Sequence, residues 1–181
     1  MSKLWIDIEP GDIGFDKGIG ISGWLIRTGT QSAHGHCWVY HRRIDQNTWE
    51  TVEAGPRGGL IRRVRTVQPN KVARIWRTEQ ERQAILIQSN KLVGAKYGWG
   101  EIIRIGFRIL GVKLPKHKDN PNRVICSNHA AQSVLAARPA LKPLFEYAPY
   151  EIWPGELAVT LSSIEWTQDR IADRMLSRVP V

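Results

Sequence analysis

The stretch HCWVYHRRIDQNTWETVEAG (residues 36–55) holds two runs of β-branched and aromatic residues joined by a polar segment. This pattern is typical of a β-hairpin, so we predict a strand over HCWVYHRR (36–43) and its partner over NTWETVEAG (47–55). Two more strand patterns follow, GGLIRRVRTV (58–67) and KVARIWR (71–77). Four strands in succession indicate an antiparallel sheet.

Shorter patterns precede the hairpin. EPGDIGF (9–15) combines a Pro-Gly-Asp turn signal with a short apolar strand. GISGWLIRTGT (20–30) places Ile21, Trp24 and Leu25 at helical spacing and predicts a helix that ends at Gly29.

Helical patterns follow the sheet. Thr78 and Glu81 form a predicted capping box ahead of a helix that runs towards Val93. GEIIRIGFRILG (100–111) predicts a second helix, and KLPKHKDNPNR (113–123) predicts a polar loop.

The last third of the chain begins with CSNHAAQSVLAAR (126–138), which predicts a helix that stops before Pro139. We expect the segment YEIWPGELAVTLSSIEW (150–166) to lie on the surface or to form a short strand. Strands first and helices second predict one α+β domain over residues 1–181.

The composition bounds the class of protein. The 181 residues are 42% hydrophobic and 24% charged, which is ordinary for a soluble globular protein. The sequence shows neither a signal peptide nor a membrane-spanning run, so we expect a soluble protein that is cytoplasmic or delivered by another route, as a phage or virion protein is. The net charge of +9 predicts attraction to nucleic acid, anionic lipid or an acidic cell-wall polymer, or a basic surface without a partner.

The residue Cys126 is a candidate nucleophile because it lies at the predicted start of a helix. The positive end of a helix favours a thiolate, which is the reactive form of cysteine. The alternative is a small buried core residue. We interpret both cysteines, Cys37 and Cys126, as thiols, because two cysteines in a chain of this length do not make a disulfide framework.

A catalytic thiol needs a base, and three histidines are serious candidates. His129 lies three residues after Cys126 on the same helix, but substrate would then have to approach over that helix. A base from a separate strand is the more usual arrangement, which favours His36 or His34. Because strand neighbours point to opposite faces, we expect His36 and Cys37 not to share a partner.

A third polar group commonly orients the base. Glu53 is the candidate, since it lies across the predicted hairpin from His36. Its alternative role is an exposed ion pair with Arg42 or Arg43.

A zinc site is a further alternative, because HGHC (34–37) and CSNH (126–129) offer enough ligands. Neither stretch has the paired spacing that identifies zinc sites. We therefore expect neither a metal nor any other cofactor.

Five short motifs together resemble a known family. GAKYGWG (94–100) precedes ICS (125–127), while PGDIGF (10–15), HCWVY (36–40) and VEAG (52–55) fill the first half. The pieces are similar to those of NlpC-type papain-like thiol hydrolases, with the two halves exchanged. This order resembles the circularly permuted branch, the YiiX-like and lecithin:retinol acyltransferase-like proteins.

The resemblance implies a papain-like fold, with an antiparallel sheet packed against helices and the catalytic cysteine at a helix N-terminus. It makes Cys126 the nucleophile, His36 the base and Glu53 the third polar residue. It also implies that Tyr97 shapes the oxyanion site. Ser127 completes the Cys-Ser motif and is, with Tyr97 and Trp38, a candidate for shaping the oxyanion or substrate site.

The chain departs from the family pattern at three positions. Ile125 replaces an aspartate, Asn128 replaces a glycine, and Trp38 replaces a small residue and is expected to narrow the cleft. These departures put the substrate class in doubt more than catalysis.

The implied function is hydrolysis of an amide bond of the peptidoglycan-peptide or isopeptide type through a thioacyl-enzyme. The basic surface suits an anionic or cell-wall-type substrate better than nucleic acid. An ester or lipid acyl hydrolase or acyltransferase on the same fold is an alternative. The other alternative is a non-catalytic basic module that binds an anionic polymer.

Overall fold

The computed structural model describes residues 8–18, 20–56, 58–66, 71–112, 122–145 and 152–176. Among these residues, no helix has both the length and the apolar character that a membrane crossing requires.

A five-stranded antiparallel sheet organises the N-terminal half, in the order β4-β3-β2-β1-β5. The predicted hairpin is its centre, and the prediction of an antiparallel sheet is confirmed. The last strand is shorter than its sequence pattern, because it ends at Ala73 rather than near Arg77. The strands are β1 (Ile13–Asp16), β2 (His36–Arg43), β3 (Thr48–Gly55), β4 (Gly59–Thr66) and β5 (Lys71–Ala73).

Five α-helices are described, and they place the protein in the α+β class. They are α1 (Gly20–Thr30), α2 (Glu79–Lys91), α3 (Trp99–Ile109), α4 (Cys126–Ala137) and α5 (Pro154–Leu176). A short 3₁₀ helix covers Pro139–Leu144. Two very short strands that the sequence did not indicate, β6 (Lys96–Tyr97) and β7 (Arg123–Val124), pair in parallel just before α3 and α4.

The start of α2 confirms half of the predicted capping box. The Thr78 hydroxyl accepts a hydrogen bond from the Glu81 backbone N–H at 3.2 Å. The Glu81 carboxylate accepts from the backbone N–H of Arg77 at 2.7 Å, one residue earlier than a capping box requires.

The segment around residues 150–166 corrects one prediction. Instead of a surface segment or strand, the chain enters α5 at Pro154, where proline is well tolerated because the first helical N–H needs no partner. Leu157, Leu161 and Ile164 are buried at helical spacing. Their burial against the main core stabilises the helix.

The sheet packs on its two faces against different residues. Cys37 and Val39 of β2 join the main core, where α4 contributes Ala130, Ala131 and Val134. The alternate residues of β2, Trp38 and Tyr40, form a second apolar cluster with Ile8 and Trp49. Since α4 covers one face of the sheet, its first residue is brought beside the start of β2.

Candidate active site

The first residue of α4 is Cys126, and the backbone before it is extended. The preceding residue, Ile125, has φ −106° and ψ 165° and makes no side-chain hydrogen bond to the helix. An apolar residue at this position cannot cap the helix, so the first-turn N–H groups are not satisfied by it. The positive end of α4 therefore acts on the Cys126 sulfur.

The imidazole of His36 contacts both the Glu53 carboxylate and the Cys126 thiol. Its Nε2 lies 2.8 Å from Oε2 of Glu53, across the β2–β3 hairpin. The same ring hydrogen bonds with the side chain of Cys126. The structure thus brings the three residues assigned as nucleophile, base and third polar group into one chain of contacts.

These residues line a narrow cleft of about 120 Å³. Cys126 has only 3% of its surface exposed, so a reagent reaches it through the cleft. Tyr97 lies in the wall, and Gly18, Gly23 and Gly35 provide side-chain-free surface. Added Cβ atoms at Gly23 and Gly35 would lie 2.8 Å and 2.4 Å from backbone atoms, which explains why the chain uses glycine there.

The site favours a thiolate and an imidazolium at neutral pH. A hydrogen bond from the Cys37 side chain lowers the pKa of Cys126; burial opposes this, but the nearby His36 charge helps to keep the pKa well below its ordinary value. Burial alone would lower the pKa of His36, but the Cys126 thiolate and Glu53 raise it to about 10. A charged pair of this kind is the resting state of an activated thiol.

The carboxylate of Glu53 is buried and is held by cations. Its side chain is 2% exposed. Arg65 Nε donates to Oε2 at 2.9 Å, and Arg63 forms an ion pair with Oε1 at 3.2 Å. Burial would raise the pKa of Glu53, but His36 and Arg65 lower it to about 2.

The alternative prediction for Glu53, an exposed ion pair with Arg42 or Arg43, is wrong. Arg42 contacts Glu50 at 3.2 Å, and Arg43 donates to the Gln46 carbonyl at 3.2 Å.

The two arginines that hold Glu53 are Arg63 and Arg65, and neither was predicted from the sequence. The alternation of arginines in RRVR (62–65), on the strand next to Glu53, was the signal that could have identified them.

The contact of Cys126 with both His36 and Cys37 corrects another prediction. Strand alternation predicts that these neighbours do not share a partner. The Cys126 sulfur accepts hydrogen bonds from the backbone and the side chain of Cys37 as well as from His36. Because the sulfur lies against the main chain of β2, side chains that leave the strand on either face reach it.

The residue Tyr97 lies on β6 and pairs with Val124 of β7, which is two residues before Cys126. Burial and the negative charge of the nearby thiolate raise the pKa of the Tyr97 phenol, which stays protonated. Its ring meets that of Trp99 edge-on, with centroids 5.2 Å apart. Tyr97 can therefore donate a hydrogen bond into the cleft.

Two other residues proposed for the cleft lie elsewhere. Trp38 is 2% exposed in the second apolar cluster, and the Arg65 guanidinium lies 4.5 Å from its ring centroid. Trp38 supports Arg65 and does not narrow the cleft, because the ring packs over Gly14, where an added Cβ would be 2.4 Å away. The buried Ser127 hydroxyl donates to the Ile152 carbonyl at 2.6 Å and ties α4 to the segment before α5.

His129, three residues after Cys126 on α4, is fully buried and points away from Cys126. Its Nε2 lies 2.9 Å from the Ser89 hydroxyl, which is also 3.1 Å from Nε2 of His41. Burial lowers the pKa of His129 to about 3 and that of His41 to about 4. His34 also lies apart from this site, and its ring packs near Phe15 at 5.5 Å between centroids.

Acid should destabilise the protein partly through His129. Since its pKa is lower in the folded state than the ordinary value of about 6.5, the unfolded chain binds more protons below that pH. The free energy of unfolding should fall as the pH drops from 6.5 towards about 3. Urea denaturation of the wild type and His129→Gln at several pH values should show a smaller fall in the variant; equal falls would contradict this role.

Among the described residues, no group of three or more His, Cys, Asp or Glu side chains has an arrangement that could hold a metal ion. The candidate zinc ligands His34 and His129 are accordingly not gathered with Cys126 into such a group.

Comparison with known proteins adds no assignment, because no family model matches the chain and no curated protein matches it significantly. The fold and site define an α+β protein with a buried Cys-His-Glu arrangement in a cleft.

Proposed function

We propose that the protein is a cysteine hydrolase with a circularly permuted papain-like fold. The observation that carries the proposal is the His36 imidazole, which joins the Cys126 thiol at a helix start to the Glu53 carboxylate 2.8 Å away. Chain order also supports it, since the strands with the histidine and the glutamate precede the helix with the cysteine.

The proposed reaction begins with attack of the Cys126 thiolate on a carbonyl carbon, which forms the S–C bond and a tetrahedral oxyanion. The Cys126 backbone N–H and the Tyr97 hydroxyl stabilise that oxyanion. His36 gives its proton to the leaving amine as the C–N bond breaks, leaving a thioacyl-enzyme.

In the second half, His36 takes a proton from water, whose oxygen attacks the thioester carbonyl. Collapse of this intermediate breaks the S–C bond, releases the acid and restores the thiolate with protonated His36. Glu53 keeps the imidazole oriented and balances its charge throughout.

We propose an amide of the peptidoglycan-peptide or isopeptide type as the substrate. Arg63 lines the cleft and is half exposed although it pairs with Glu53, which supports a substrate with an acidic group that Arg63 can contact. The net charge of +9 acts in the same direction and attracts anionic or cell-wall-type polymers.

A second candidate is an ester or acyl-lipid substrate, as in the lipid-acting members of the permuted branch. The observation that favours it is Trp99, an exposed apolar residue whose ring touches that of the cleft residue Tyr97. Both candidates use the same thioacyl chemistry.

The test is product formation with purified protein on three substrate sets: peptidoglycan fragments, isopeptide-linked peptides and acyl lipids. We expect one set to be cleaved by the wild type and not by Cys126→Ala, and mass spectrometry should show an acyl adduct on Cys126. Equal turnover by wild type and variant would overturn the proposal. An inert Cys126 with salt-sensitive binding of an anionic polymer would favour the non-catalytic module.

The Tyr97 hydroxyl should contribute to the rate and not to thiol activation. Tyr97→Phe keeps the ring and removes the donor, so we expect kcat to fall by roughly 10²-fold, the usual effect of losing one oxyanion donor. Alkylation of Cys126 should change little. If Tyr97→Phe kept the wild-type kcat, the Tyr97 hydroxyl would not be a donor to the oxyanion.

A further inference from the structure

The helix α3 exposes large apolar side chains along one face, which continues into the residue just after it. Trp99, Ile103, Phe107 and Leu110 are 50%, 58%, 43% and 77% exposed. At about 100° per residue, they fall within an arc of roughly 80°. We call these four residues the α3 apolar face.

The side of α3 opposite to this face carries a buried charge. Its first-turn carboxylate, Glu101, is only 5% exposed and lies against Gly98, where an added Cβ would be 2.4 Å from the carboxylate oxygen. A surface helix normally buries its apolar stripe and exposes its charges. A contiguous apolar stripe that stays in water is typical of an interaction site.

Further apolar surface lies close to this face in the chain or in the fold. Val112, just after α3, is 44% exposed. Trp24 is 54% exposed on α1, the helix that packs against α3. Tryptophan is favoured at membrane–water interfaces, where its ring lies among the headgroups.

Most charged residues in and just after α3 are basic, and the exception on the helix is the buried Glu101. Arg104 and Arg108 lie on the helix, and Lys113, Lys116 and Lys118 follow within ten residues of it. A basic amphipathic helix with tryptophan, phenylalanine and leucine on its apolar side is the pattern of an interfacial membrane helix. A second copy would bring together two chains that each carry a net charge of +9, which disfavours self-association.

We propose that the α3 apolar face docks on the surface of an anionic phospholipid bilayer. Trp99, Ile103, Phe107 and Leu110 enter the boundary between headgroups and acyl chains, and the net charge of +9 on the chain attracts the anionic headgroups. Because Trp99 touches Tyr97, docking brings the cleft to the membrane surface. The docking surface is separate from the chemistry of Cys126, so either proposal can fail alone.

The experiment is co-sedimentation of the full chain with vesicles of phosphatidylcholine, with and without phosphatidylserine. We expect binding to the vesicles that contain phosphatidylserine, weakened by added salt. Ile103→Asp should lower the partition coefficient roughly tenfold or more.

Ile87→Asp is the matched control, since Ile87 is 66% exposed on another helix, α2. It should bind vesicles like the wild type. Alkylation of Cys126 in both variants checks that the fold and the site are intact. Absence of vesicle binding, equal binding by Ile103→Asp and the wild type, or a wild-type dimer that Ile103→Asp dissociates would each overturn the docking proposal.

Discussion

Iodoacetamide at about pH 6 should alkylate Cys126 roughly 10- to 100-fold faster than a free model thiol. An ordinary thiol with a pKa near 8.5 is less than about 1% thiolate at that pH. Cys126 has a pKa well below this value because the Cys37 side chain and the His36 imidazolium stabilise its thiolate. The lower nucleophilicity of a low-pKa thiolate offsets part of the gain.

His36→Ala should remove the enhancement, because the variant lacks the cation that faces the thiolate. His129→Ala should leave it in place and mainly affect packing, since His129 hydrogen bonds with Ser89 on α2. Peptide mapping assigns the adduct to Cys126 and not to Cys37, whose pKa burial raises well above its usual value. If Cys126 were alkylated no faster than the model thiol and His36→Ala left that rate unchanged, the activation of Cys126 by His36 would be overturned.

Replacing Glu53 by glutamine should destabilise the protein by roughly 3 kcal/mol, the lower end of the cost of breaking a buried ion pair. Glu53→Gln keeps the volume but removes the charge that faces His36, Arg63 and Arg65. Arg63 is half exposed and recovers water contacts, which is why we use the lower end. Chemical denaturation at pH 7 measures the change.

The matched control is Glu50→Gln on the same strand. Glu50 pairs with Arg42 and Arg62, which are 73% and 48% exposed, so its loss should cost less than about 1 kcal/mol. The pKa of Glu53 is lower in the folded state, so its contribution is complete above about pH 4.5 and is lost as the pH falls towards 2. Equal destabilisation by the two variants would contradict the central role of Glu53.

The hairpin and the His36–Glu53 contact were accessible from sequence because both depend on local pattern. Alternating β-branched and aromatic residues define the strands, and a short connection brings side chains on one face of the two strands close together, directly or diagonally across the hairpin. The helix α4 was predictable for a similar reason, since the segment AAQSVLAA (130–137) is rich in helix formers, although its first turn, Cys126 to His129, is not.

The remaining contacts depend on packing between distant segments. Nothing near Trp38 in the sequence shows that Gly14 leaves room for its ring on the face away from the main core. The position of the Cys126 sulfur against the main chain of β2 also depends on how α4 docks on the sheet. The sequence pattern did not indicate α5 because Pro154 and Gly155 resemble a turn, although proline equally begins helices.

The two sides of the site come from parts of the chain that are far apart in sequence. His36 and Glu53 belong to one hairpin, which can form locally, whereas Cys126 joins them only when α4 docks on the sheet. Contacts of long sequence separation form late in folding, because the chain between them must first lose its freedom. A refolding chain therefore carries an ordinary, slow thiol until its halves meet, and the rate of alkylation at Cys126 reports the completion of the fold.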